Sequence, residues 1–100
     1  LRFGNGELII EADARKVMVR GNPIDLTTAE YRLLLFMAER RGRVLTADAL
    51  SNELWPDDPD ASVDNVRWHI WRLRRKIEED PDHPQYILTE RGLGYRFAPS

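Results

Sequence analysis

Apolar residues alternate with polar ones near the start of the chain and recur at helical spacing after residue 27. Glu7 to Ile10 and Lys16 to Val19 read as short strands split by a turn around Ala12 to Ala14. Gly21-Asn22-Pro23 marks a second turn, and Leu1 to Phe3 and Ile24 to Leu26 are expected to add edge strands. The expected product is a small antiparallel sheet over residues 1–26.

Thr27-Thr28-Ala29-Glu30 fits a capping box, with Thr27 as N-cap and Glu30 three residues on. Behind it Tyr31, Leu34, Leu35 and Ala38 recur at helical spacing, Leu33 and Phe36 or Met37 widen the apolar face, and Gly42 stops the helix. Val44-Leu45 is a brief extended link. Thr46 then caps a second helix through Leu50 and Leu54 to Trp55, where Pro56 ends it. A polar, acidic connection follows from Pro56 to Ala61. The third helix is expected to start near Ser62 and last until about Glu79, before Pro81, with Val63, Val66, Ile70, Leu73 and Ile77 on its core stripe. The chain closes in a hairpin: Tyr86 to Thr89, a turn at Arg91-Gly92-Leu93-Gly94, then Tyr95 to Phe97. The fold class is α+β: an N-terminal four-stranded antiparallel sheet (1–26), a three-helix core (27–79) and a C-terminal β-hairpin (85–98), forming one domain over 1–100.

The third helix carries the most informative surface. At about 100° per residue, centring its stripe between Ile70 and Leu73 turns Trp68 and Arg75 nearly opposite the core. Asp64, Trp71 and Arg72 lie beside them, His69 and Lys76 on one flank, Arg67 and Arg74 on the other. Two tryptophans facing away from a core are unusual for a monomeric helix. Indole rings can lie along sugar and thymine methyl groups in a major groove. Arg72 or Arg75 can reach a guanine edge in bidentate fashion, and the other cations can pair with phosphates. The plainer alternative is a solvated basic face, with the tryptophans packed against the hairpin or the sheet. Arg91, just before Gly92-Leu93-Gly94 at the hairpin tip, can enter a narrow minor groove, or it is an ordinary surface arginine on a tight turn.

Composition changes this picture little. The 100 residues are 42% hydrophobic and 32% charged, an ordinary globular balance, and no apolar run approaches the ~18 residues of a membrane span. Cysteine is absent, which suits a reducing cytoplasm. The chain begins with Leu1 and has no signal-peptide pattern, so it is expected to be a piece of a longer protein. The formal net charge of −2 argues against a nucleic-acid partner, but its distribution does not. Asp57, Asp58, Asp60 and Asp64 crowd on one side and Glu78, Glu79, Asp80 and Asp82 on the other, with Arg67, Arg72, Arg74, Arg75 and Lys76 between. A basic stripe flanked by acidic loops can hold DNA on one face and repel it elsewhere.

Catalytic and metal chemistry are not expected. His69 and His83 are the two histidines, and neither a His-Glu-x-x-His pattern nor a Gly-x-Ser-x-Gly elbow occurs. Gly92-Leu93-Gly94 lacks the third glycine and following helix of a nucleotide site. Paired acids such as Asp57-Asp58 are read as solvent-facing. No cofactor is implied.

Three segments carry a family resemblance. Leu26-Thr27-Thr28-Ala29-Glu30-Tyr31-Arg32-Leu33-Leu34, His69-Ile70-Trp71-Arg72-Leu73-Arg74-Arg75-Lys76-Ile77 and Arg91-Gly92-Leu93-Gly94-Tyr95-Arg96-Phe97 resemble, in order and separation, the effector domains of OmpR/PhoB response regulators. The resemblance covers essentially the whole chain. It implies a winged helix-turn-helix that binds double-stranded DNA, with the third helix in the major groove and the wing arginine in the minor groove. Carried across by motif, Arg72 is the candidate base contact and Trp68 takes a position that touches thymine methyls. His69, Arg74 and Trp55 match phosphate or sugar contacts, and Thr89 and Arg91 match wing contacts. The loop Pro56, Asp57, Asp58, Pro59, Asp60 matches a contact surface for RNA polymerase. The resemblance further implies a receiver domain, absent from these residues, phosphorylated by a histidine kinase. It also implies a cytoplasmic, nucleoid-associated protein, monomeric alone and paired on DNA direct repeats.

The sequence departs from the family pattern at Val66-Arg67-Trp68-His69-Ile70, where many members have Val-Asp-Val-His-Ile, and at Trp71, which replaces a polar or basic residue. These changes should strengthen non-specific attraction and alter the bases tolerated. Two alternatives stay open: a winged helix serving as a protein-interaction module, with Trp68 and Trp71 as anchors, and the DNA-binding domain of a regulator without a receiver.

Overall fold

The computed structural model describes residues 1–58 and 63–98. In chain order they form β1 (Arg2–Phe3), β2 (Leu8–Glu11), β3 (Lys16–Val19), β4 (Asn22–Ile24), α1 (Thr28–Glu39), β5 (Val44–Leu45), α2 (Ala47–Leu54), α3 (Val63–Ile77), β6 (Ile87–Glu90) and β7 (Gly94–Phe97). The expected start of the third helix at Ser62, and Pro59 and Asp60 of the acidic loop, lie outside the described residues.

Strands β1 to β4 form an antiparallel meander in which Leu8 pairs with Val19 and Ile10 with Val17. Side chains alternate across a strand, so Leu8, Ile10, Val17 and Val19 all enter the core. The expected turn at Gly21-Asn22-Pro23 falls earlier. Arg20 and Gly21, at φ 49° and 78°, make the reversal, as a two-residue hairpin with two positive φ values requires. Asn22 and Pro23 therefore belong to β4, displacing the strand expected at Ile24 to Leu26. Proline is tolerated because β4 is an edge strand, where an absent N–H need not remove a ladder bond.

The capping box of α1 is complete: Thr27 Oγ1 accepts from the Glu30 amide at 3.1 Å, and Glu30 Oε1 accepts from the Thr27 amide at 2.8 Å. Tyr31, Leu33, Leu34, Met37 and Ala38 are buried. Thr46 caps α2, which ends at Leu54 with Trp55 as its C-cap, one residue short of the expected end. Arg32 of α1 donates to the carbonyls of Glu53 and Leu54, satisfying acceptors that a helix end leaves open.

Three further expectations need correction. Helix α3 buries Val66, Ile70, Leu73 and Ile77 but stops at Ile77, not Glu79. Glu78 turns inward and is buried. Its carboxylate accepts from the amides of Gln85 (2.7 Å), Tyr86 (3.1 Å) and Ile87 (2.9 Å), so it does not belong to a solvent-facing acidic run. A buried carboxylate needs such donors. The third correction concerns Val44-Leu45, which is a strand. It pairs with β7 through Val44↔Arg96 and Leu45↔Tyr95, so the terminal sheet is three-stranded, in the order β5-β7-β6.

The two sheets meet at an aromatic joint. Phe3 packs edge-on against Phe97 at 4.8 Å, and Tyr86 stacks on Phe97 at 6.1 Å. The Tyr86 hydroxyl donates to Glu7, and Arg20 bridges Glu7 (3.1 Å) to the Ile77 carbonyl (3.4 Å). Burial, then this hydrogen bond, pushes the Tyr86 phenol up, while the same bond and Arg20 hold Glu7 down. The N-terminal sheet is thereby fastened to the end of α3 and the root of the hairpin.

Candidate nucleic-acid interface

Helix α3 presents an aromatic and cationic face. Trp68 and Trp71 are 52% and 53% exposed, so neither is packed away beneath the hairpin or the sheet. Each carries an arginine one turn on: the Arg72 guanidinium lies 4.8 Å from the Trp68 ring and that of Arg75 lies 5.0 Å from Trp71. Cation–π attraction at these distances favours rotamers that keep each guanidinium near its indole. Arg67 is exposed beside them.

The five basic residues of the stripe are not equivalent. Arg72 Nε donates to Glu30 Oε2 at 3.2 Å and Lys76 Nζ to Glu30 Oε1 at 2.6 Å. Burial alone would raise the Glu30 carboxyl. Hydrogen bonds from Lys76, the Thr27 backbone and Arg72 outweigh it and hold the group at about 2. Arg74 points towards the hairpin, where its Nε and Nη2 donate to the Ile87 carbonyl and Nη2 also to the Thr89 hydroxyl. Among the described residues Arg67 and Arg75 form no ion pair, so their full charge faces solvent. Lys76, placed on a flank by periodicity, is spent on Glu30.

His69 sits between two rings, 5.1 Å from Trp55 and 5.0 Å from Trp68, both edge-on. Its Nδ1 lies 2.8 Å from the Asn65 carbonyl, which can only accept. Nδ1 is therefore the donor in this contact, and Nε2 is the ring nitrogen left for another partner. Trp55, at the end of α2, thus joins the α3 surface through His69.

The hairpin of β6 and β7 projects beside this face. Thr89 pairs with Tyr95 and Glu90 with Gly94 around a turn at residues 91–93, whose tip exposes Arg91 and leaves Leu93 64% exposed. Gly94 is a required glycine. Its φ is 148°, and a Cβ there would stand 2.1 Å from the Leu45 carbonyl oxygen. That contact lets β5 brace the hairpin. An open groove of about 740 Å³ lies among Trp71 and Arg74 of α3, the loop of residues 81–84, and Leu88 and Thr89 of the hairpin. In the loop after α2, Pro56, Asp57 and Asp58 are exposed.

The structure thus gathers Trp55, Trp68, His69 and Arg72 around one part of α3, and Arg74 and Thr89 around the hairpin root. Arg67, Trp71 and Arg75 share the outward face, and Arg91 stands exposed at the tip. Glu30 is the residue that sequence reasoning missed beyond its cap. A signal was present: Glu30 lies three, four and seven residues before Leu33, Leu34 and Met37, on the buried stripe, where an acid must find a cation. Among the described residues no cluster of side chains suited to a metal ion occurs, and no helix is long and apolar enough to cross a membrane.

Comparison with known proteins identifies the family and the fold. A family described as "Transcriptional regulatory protein, C terminal" matches residues 21–97. The DNA-binding response regulator MtrA of Mycolicibacterium smegmatis is 39% identical over 94 residues, 94% of this chain and 41% of that protein. The chain therefore spans about two fifths of the length of this curated relative. Among solved structures, the response regulator DrrB, a Thermotoga maritima OmpR/PhoB homolog, superposes with a TM-score of 0.88 at 40% identity, covering 96% of this chain and 43% of that one. The Klebsiella pneumoniae RstA DNA-binding domain in complex with RstA box gives 0.84 at 35% identity, covering 95% and 94%.

Proposed function

The chain belongs to the family of transcriptional regulatory protein C-terminal domains, in its OmpR/PhoB branch, and from that premise we propose that it binds duplex DNA sequence-specifically as the output domain of a response regulator. The family is one of transcription regulators, not of enzymes. In this reading α3 enters the major groove, where Arg72 reads a base edge and Trp68 and Trp71 lie against thymine methyls and sugars. Arg67 and Arg75 pair with phosphates, and His69 and Trp55 rest against the same strand. Thr89 and Arg74 meet the backbone beside the hairpin, the wing of the fold, and Arg91 enters the neighbouring minor groove.

The observation that carries this reading is the face of α3: two half-exposed tryptophans, each with an arginine guanidinium about 5 Å from its ring, beside the exposed Arg67. Hydrophobic area of this kind is left uncovered when a partner covers it, and interleaved cations suit a polyanion. The exposed acidic loop from Pro56 to Asp58 suits a basic surface on RNA polymerase, and two copies would pair on direct repeats in the cytoplasm. A receiver domain under a histidine kinase would control the pairing.

The test is the salt dependence of affinity for duplexes selected from a random pool. Phosphate contacts release counterions, so log affinity should fall linearly with log salt. No retained DNA at low salt, with Trp68 and Trp71 instead required for capture of a protein, would replace this reading with that of a protein-interaction module.

A further inference from the structure

We propose that Glu30, from inside the core, positions Arg72 for base recognition by holding its Nε and leaving the two Nη groups to read guanine end-on. The inference rests on the DNA-binding reading above and names what sets its specificity.

Glu30 is fully buried, and each carboxylate oxygen has a separate task. Oε1 accepts from the Thr27 amide at 2.8 Å and from Lys76 Nζ at 2.6 Å, completing the helix cap and balancing charge. Oε2 faces the other way and takes Arg72 Nε at 3.2 Å. The cap does not need that second contact. A guanidinium can meet the O6 and N7 of guanine side-on, through Nε and one Nη, or end-on, through both Nη groups. With Nε engaged by a buried carboxylate the side-on mode is closed. Among the described residues neither Nη group of Arg72 has a hydrogen-bond acceptor, so the end-on edge is the one on offer.

Trp68 supplies the second restraint. Its ring lies 4.8 Å from the Arg72 guanidinium and restricts the space in which the fork can move. Arginine clamped at Nε and stacked on one face is ordered before any base arrives, which lowers the entropy lost on binding. Lys76 matters indirectly. Two cations on one carboxylate leave the cluster net positive, so Glu30 can sit behind a DNA-facing arginine without repelling phosphate. The carboxylate also stays ionised at any working pH, since its pKa is held at about 2.

A purely structural Glu30 would stabilise the domain without touching base preference. The distinguishing readout is therefore discrimination among bases. Arg72→Ala first assigns the contacted base pair in a selected duplex, through single-pair substitutions. Glu30→Gln keeps an acceptor for Thr27 but loses the charge that grips Arg72. It should lower the preference for guanine at that pair on the order of tenfold, while affinity for unrelated duplex stays level or rises. Thr27→Ala, which removes only the hydroxyl half of the cap, should destabilise the helix and leave the preference intact. In the unmutated domain the Arg72 Nε proton should exchange slowly with water, a readout that survives if Glu30→Gln does not fold. Equal weakening on all sequences with discrimination kept, or rapid exchange of that proton, would overturn the proposal. If Arg72→Ala changes no base preference although duplex DNA is bound, the inference falls and the DNA-binding reading stands. If the unmutated domain binds no duplex, both fall.

Discussion

Arg74 Nη2 donates to the Thr89 hydroxyl at 2.8 Å, joining α3 to the wing, while its guanidinium also lies 5.8 Å from the Tyr95 ring. Both residues are expected from the family resemblance to face DNA, yet each is first a partner of the other. The hydroxyl accepts from Arg74 and so keeps its own proton for a phosphate. Arg74 additionally satisfies the Ile87 carbonyl. The bond therefore fixes the distance between the two elements expected to enter adjacent grooves.

Arg74→Ala should accordingly loosen the wing without unfolding the core. Leaving the Ile87 carbonyl without its charged donor costs roughly 1–3 kcal/mol, a Tm decrease of about 4–8 °C per kcal/mol for a domain of this size. Thermal melts read the first effect, and amide relaxation over residues 87–97 reads the second. An unchanged wing would show that β5 alone holds it.

Gly94→Ala should break the opposite brace. The added Cβ meets Leu45 and Thr46 backbone, which cannot swing aside as a side chain can. Stability should fall by about 2 kcal/mol or more, since strain at a special φ adds to the clash. Amides of Val44 and Leu45 should lose hydrogen-exchange protection before those of β6. Preserved protection at β5 would contradict the role given to this glycine.

Glu30 predicts a specific acid behaviour. Its carboxyl is depressed from 4.5 to about 2 in the folded state. Its stabilisation is therefore complete above about pH 4.5 and lost as pH falls towards 2. At about 1.4 kcal/mol per unit the full contribution is roughly 3 kcal/mol. The stability gap between the unmutated domain and Glu30→Gln should be wide at neutral pH and shrink across that window. A gap independent of pH would mean that Glu30 acts by shape and not by charge.

The salt slope should separate spent cations from available ones. Each phosphate contact contributes about 0.9 to the slope of log affinity against log salt. Arg67→Ala and Arg75→Ala should each reduce it by about that amount, whereas Lys76→Met should leave it unchanged because Lys76 serves Glu30. A drop of one contact for Lys76→Met would show that the lysine leaves Glu30 when DNA arrives.

What was legible in the sequence follows the range of the interaction. The Thr27–Glu30 cap is a three-residue contact, and the outward turn of Trp68 and Trp71 follows from helical period; both could be read directly. The second task of Glu30 could not, because Arg72 and Lys76 lie 42 and 46 residues away. Glu78 looked like one more acid in a run of acids, since its partners are backbone amides, which leave no trace in residue type. Strand β5 is two residues long, and its pairing with Arg96 and Tyr95 is purely tertiary. Of the site, the face of α3 and the wing tip were readable. The division of its cations into structural and available ones was not.

The most direct test of the central claim is an NMR titration of the labelled domain with a selected duplex at low salt. The account predicts shifts at the indole N–H signals of Trp68 and Trp71 and at the amides of Gly92 and Leu93, with little change from β1 to β4. Shifts confined to the N-terminal sheet, or none at α3 and the wing, would contradict it.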